Sequence, residues 1–148
     1  MASSINENLN FVTNISAYEA KKIRYLNTHE VLISINEPNE PLHDLHIDRK
    51  VSEILTVSFW DITAKCSYKG SNLDPIDMET AVKIVKFIKL WKKKNFIIHC
   101  HAGISRSAAV ALFIHKMYGH QLKENFWLVS HPNPYVLGML MMAYEKIS

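Results

Sequence analysis

Hydrophobic positions along the chain fall into short β-prone runs that alternate with stretches of helical spacing. Leu9 to Ile15 mixes apolar and polar residues and predicts an opening edge strand. Ser16 follows as an N-cap for a helix over 17–26, with Glu19 completing a capping box. Val31 to Ile35 predicts a strand ended by the Asn- and Pro-rich loop 36–41. Ile54 to Trp60 predicts another strand, with Asp61 at its C-terminal end. Residues 63–72, carrying Cys66, Tyr68 and Gly70, predict a loop. Asp74-Pro75 then reads as N-cap and first residue of a helix over 76–92. Its Ala81, Ile84, Val85, Ile88 and Trp91 form an apolar stripe, opposite Lys83, Lys86, Lys89 and Lys93.

The run Phe96-Ile97-Ile98 predicts a strand that delivers Cys100 into a loop of small residues. A helix opens at Ser107-Ala108-Ala109 and runs to about Tyr118, where Gly119 is the stop. Residues 121–130 predict a further helix. Pro132-Asn133-Pro134 breaks it, with Asn133 as N-cap and Pro134 at N1 of a last helix ending near Ile147. Leu137, Leu140, Met141 and Tyr144 are its expected buried face. The alternation predicts one α/β domain over 1–148, with a central, mainly parallel sheet of four or five strands and helices on both faces.

Composition narrows this reading only slightly. At 148 residues and 48% hydrophobic, the chain has material for one substantial core. A net charge of +3 favours acidic or phosphorylated ligands without demanding nucleic acid. The lysines opposite the apolar stripe read as a solvated face, so neither nucleic acid nor membrane is an expected partner. Cys66 and Cys100 lie far apart, against a disulfide scaffold or a zinc ribbon. No charged start precedes an apolar core and no run approaches about 18 apolar residues, which predicts a soluble, cytoplasmic protein. His43, Asp44, His46 and Asp48 crowd one segment but lack a third clustered histidine, and read as a polar loop. No metal or cofactor is expected.

The candidate chemistry sits in the strand-loop-helix of 96–114. The first helical turn has unpaired N–H groups and a partial positive charge, and Gly103 lets the loop curl toward a ligand. Arg106 adds a planar fork of donors suited to two phosphate oxygens. Cys100 lies within that field, which favours a thiolate, and a thiolate facing a bound tetrahedral anion is a nucleophile aimed at phosphorus.

His99-Cys100, five residues, then Arg106-Ser107 resembles the signature of the cysteine-dependent protein tyrosine phosphatase superfamily. Gly103 falls where its small dual-specificity members keep a glycine. Rhodaneses fit less well, because their loop places the arginine one residue closer. The resemblance implies a protein phosphatase hydrolysing phosphotyrosine through a phosphocysteine intermediate, with phosphoserine and phosphothreonine left open. Its substrate would be a phosphorylated protein, and it would need no metal.

In that scheme Cys100 is the nucleophile, while the backbone N–H groups of His101, Ala102, Gly103, Ile104, Ser105 and Arg106 stabilise the phosphoryl oxygens, helped by the Arg106 guanidinium. Ser107 helps the thiolate depart, and His99 orients the loop. The resemblance also implies an upstream aspartate as general acid, and three are available: Asp61, Asp74 and Asp77. Asp74 reads as a helix cap and Asp77 as a first-turn acid, whereas Asp61 has no such structural occupation, so Asp61 is the choice. Cys66, five residues beyond Asp61, reads as a cysteine of no consequence, with capture of oxidised Cys100 as the sharper alternative. Rival readings are a phosphoinositide or RNA 5′-triphosphate phosphatase, which extra lysines in the loop would favour, and a phosphate-binding pseudophosphatase.

Overall fold

The structure is a computed structural model that describes residues 8–48, 53–68 and 70–148. Five strands form one sheet: β1 (Phe11–Ser16), β2 (Glu30–Asn36), β3 (Ile54–Ser58), β6 (Asn95–Cys100) and β7 (Gln121–Leu122), in the order β3-β2-β6-β1-β7. Every pair in it is parallel. Strands β4 (Cys66–Tyr68) and β5 (Ser71–Leu73) form a separate antiparallel hairpin. The helices are α1 (Ala17–Ala20), α2 (Met78–Leu90), α3 (Arg106–Tyr118), α4 (Phe126–Val129) and α5 (Pro134–Ile147).

Parallel strands buried on both faces need apolar side chains on both, and β2, buried along nearly its whole length, supplies Val31, Leu32, Ile33 and Ile35. Val31, Ile33 and Ile35 join the main core with Phe96 and Ile98, packed against Ile84, Val85 and Ile88 of α2, Ala109, Val110 and Phe113 of α3, and Val136 and Leu140 of α5. The alternate residues Leu32, Ile54 and Ile97 face a smaller cluster completed by Ile23, Leu26, Leu45 and Ile47. Because all five strands run the same way, the chain leaves β1, β2, β3 and β6 at one edge of the sheet. Register brings Ser16 beside Cys100, and Ser34 beside His99.

Several boundaries differ from the sequence expectation. β1 is not an edge strand, because the two-residue β7 pairs outside it. The first helix stops at Ala20, and Ile23 and Leu26 go instead to the smaller cluster. The expected loop 63–72 contains the β4–β5 hairpin, with Gly70 at φ +79° between its strands. Asp77, not Asp74, caps α2, its side chain accepting from the Thr80 N–H. The reason is Ile76, which is buried in the core just before the helix, while Asp74 stays exposed. The expected helix over 121–130 is only α4, because Gln121 and Leu122 are drawn into the sheet. On α5, Met141 is exposed, and Val136, Leu140 and Ala143 form the buried line. Among the described residues no helix is long and apolar enough to cross a membrane.

Candidate active site

The loop from His101 to Ser105 leaves β6 at the carboxyl edge of the sheet and feeds the first turn of α3. Its curl depends on Gly103, which has φ +79°. A Cβ at this position would lie 2.5 Å from the Ser16 nitrogen and 2.7 Å from the Ile15 oxygen, so the loop rests directly on the β1 backbone. The curl turns the Gly103 N–H back onto Cys100 Sγ, at 3.2 Å. Ser107 Oγ lies 3.2 Å from the same sulfur. Cys100 is buried at 2% exposure, so its sulfur is at the floor of the loop, while His101, Ala102 and Ile104 are exposed around it.

Arg106 is 4% exposed, and its guanidinium is held from two sides. Nη1 donates to the Phe59 carbonyl at 2.9 Å, and Nη2 donates to Glu37 Oε1 at 2.6 Å. Nε is buried without a hydrogen-bond partner. A buried, unpaired cationic donor is costly, and an anion in the loop would relieve it. Sequence reasoning missed Glu37, whose place in a polar loop after β2 gave no signal. Spatially it follows from the parallel sheet, which sets the end of β2 beside that of β6.

His99 is fully buried, with Nε2 2.6 Å from Ser34 Oγ and Nδ1 3.4 Å from the Cys100 carbonyl. Burial lowers its pKa from the usual 6.5 to about 4, so the ring is neutral at physiological pH. Asn36 extends the chain of bonds, donating to Ser34 Oγ and accepting from the His43 N–H. The His43 ring stands edge-on to His99 at 5.3 Å. On the other flank, Asn14 of β1 is fully buried and donates to the Gly103 carbonyl at 2.8 Å. Asn14 and Ser34 were also missed, since a polar residue inside a strand reads locally as an outward one.

Of the three aspartates, the structure brings Asp61 to the loop and leaves the others elsewhere. Asp61 Oδ1 accepts from Ser105 Oγ at 2.7 Å and from Asn133 Nδ2 at 2.9 Å. Asp77 is occupied as the α2 cap, and the exposed Asp74 lies 3.9 Å from Lys65. Ser105, expected to serve mainly through its backbone, thus uses its side chain as well. Cys66 is exposed on β4, and both thiols are free. Among the described residues no cluster of three or more potential ligands could hold a metal ion.

This arrangement can seat a tetrahedral anion over a sulfur nucleophile, with N–H donors around it, a guanidinium at its side and a carboxyl group at the rim. No protein-family model matches the sequence, and no curated protein matches it. Solved structures do. Human tyrosine phosphatase-like serine/threonine/tyrosine-interacting protein is similar at a TM-score of 0.57 and 18% identity, over 92% of this chain and 91% of that one. Human DUSP28 is similar at 0.57 and 17%, over 95% and 96%. A mouse putative dual specificity phosphatase, solved with zinc tungstate, is similar at 0.50 and 18%, over 89% and 80%. The chain therefore has the dual-specificity phosphatase-like fold.

Proposed function

We propose that the protein is a cysteine-dependent phosphatase that hydrolyses phosphotyrosine in protein substrates, with phosphoserine and phosphothreonine as the further esters to be assayed. The observation that carries this reading is the convergence on one loop of the buried Cys100 sulfur, the Gly103 N–H, the Arg106 guanidinium and the Asp61 carboxyl. Cys100 attacks phosphorus in line as the bond to the leaving oxygen breaks, and Asp61 gives that oxygen its proton. The loop N–H groups and the unpaired Nε of Arg106 take the charge that gathers on the phosphoryl oxygens. Water then attacks the phosphocysteine, returning a proton to Asp61, and the sulfur departs as thiolate toward the Ser107 hydroxyl. His99, neutral and locked to Ser34, fixes the strand end from which the sulfur projects. Two free thiols suit a reducing, cytoplasmic setting.

The test is hydrolysis of p-nitrophenyl phosphate and of a phosphotyrosine peptide. Wild type is expected to turn over both, Cys100→Ser neither, and Asp61→Asn the phosphotyrosine peptide about 100-fold more slowly, with loss of the alkaline limb of the pH profile on that substrate and a much smaller loss on p-nitrophenyl phosphate. Silence of the wild type with retained tungstate binding would replace this reading by that of a phosphate-binding protein.

A further inference from the structure

Asn133 joins three parts of the molecule: the start of α5, the loop that carries Asp61 and the loop after β6. Its Oδ1 caps α5, accepting from the Tyr135 and Val136 N–H groups. Its Nδ2 donates to Asp61 Oδ1 at 2.9 Å and to the Ile62 carbonyl at 3.2 Å. Its own N–H donates to the Ser105 carbonyl at 3.2 Å, while the His131 N–H donates to the Ile104 carbonyl at 2.7 Å. The segment 131–133 therefore runs along the phosphate loop and joins it to the loop that carries Asp61. Asn133 is 4% exposed, so these bonds are shielded from competing water.

The two donors on Asp61 converge on one oxygen. Ser105 Oγ and Asn133 Nδ2 both donate to Oδ1, and among the described residues none donates to Oδ2. A carboxylic acid held in this way has Oδ1 as its carbonyl oxygen and the proton on Oδ2. We propose that Asn133, with Ser105, is a positioning residue for proton transfer: the pair clamps Oδ1 so that Oδ2 is the atom that protonates the leaving oxygen. This rests on the phosphatase reading above. In the first step the proton leaves Oδ2 as the bond between phosphorus and the leaving oxygen breaks, and in the second the attacking water restores it.

The test separates a positioning role from a structural one by varying the leaving group. An ester with a good leaving group, p-nitrophenyl phosphate, needs little protonation, whereas phenyl phosphate needs much more. Asn133→Ser keeps an oxygen able to cap α5 but lacks the amide donor. It is expected to lose about tenfold in kcat/KM on phenyl phosphate and less than about twofold on p-nitrophenyl phosphate, with tungstate affinity unchanged. Ser105→Ala, which leaves the α5 cap and the loop N–H groups in place, is expected to lose more on phenyl phosphate than on p-nitrophenyl phosphate, and serves if Asn133→Ser fails to fold. In an Asp61→Asn background neither change should add any leaving-group dependence. Equal losses on both esters, or none, in a folded variant would overturn the proposal alone. A wild type inactive on both esters would overturn the phosphatase reading, and this inference with it.

Discussion

At the scale of single residues, Gly103 has the least freedom. Its positive φ disfavours any side chain, and the β1 backbone occupies the space a Cβ would need. Gly103→Ala is expected to lower unfolding free energy by about 2–4 kcal/mol and to abolish turnover, by combining backbone strain with overpacking. Urea denaturation beside a p-nitrophenyl phosphate assay checks both effects, and an active, equally stable variant contradicts them. Glu37 is the second informative residue. Glu37→Gln keeps a side-chain acceptor for Arg106 Nη2 but removes the charge that holds the guanidinium. Its expected signature is tungstate and substrate affinity weakened about fivefold to tenfold, with the shape of the pH-rate profile retained. Unchanged tungstate affinity would show that the ion pair does not orient Arg106.

At the scale of elements, helix caps test which aspartate serves as acid. Asp77→Ala removes the α2 cap and is expected to cost about 1 kcal/mol while leaving the shape of the pH-rate profile unaltered. A lost alkaline limb in that variant would move the acid away from Asp61. The caps also show what local sequence can reveal. Ser16 with Glu19, Asn133 with Pro134, and Gly119 are signals complete within a few residues, and each is used as expected. Asp74-Pro75 carries the same kind of signal, yet loses to Asp77 because burial of Ile76 decides where the helix begins. The strand-loop-helix of the site was legible for the same reason as the caps, since Phe96 to Ser107 are consecutive. Glu37, Asn14, Ser34 and the Asn133 clamp were not, because their contacts join residues tens of positions apart and depend on strand order.

At the scale of the whole molecule, a neutral buried histidine ties stability to pH. The unfolded chain protonates His99 near pH 6.5 and the folded chain only near 4. Between those values the unfolded state binds more protons, so stability is complete above about pH 6.5 and is lost as pH falls toward 4. A shift of this size corresponds to about 3 kcal/mol. His43 and His120 are lowered in the same direction, chiefly by burial, and add to the loss. Urea midpoints should therefore decline from pH 7 to 4.5, and a flat profile would contradict the buried, neutral ring. The seat of Gly103 on β1 bears on how the loop after β6 comes to take its shape. The loop from His101 to Ser105 rests on backbone that precedes it by nearly ninety positions, so its shape depends on the docking of β1 as well as on its own segment. A chain in which β6 and α3 have formed but β1 has not docked carries Cys100 and Arg106 without the backbone against which Gly103 is seated. Docking of β1 is therefore a condition of the proposed activity, and trimming into Phe11–Ser16 is expected to abolish p-nitrophenyl phosphate hydrolysis without altering one proposed reacting group.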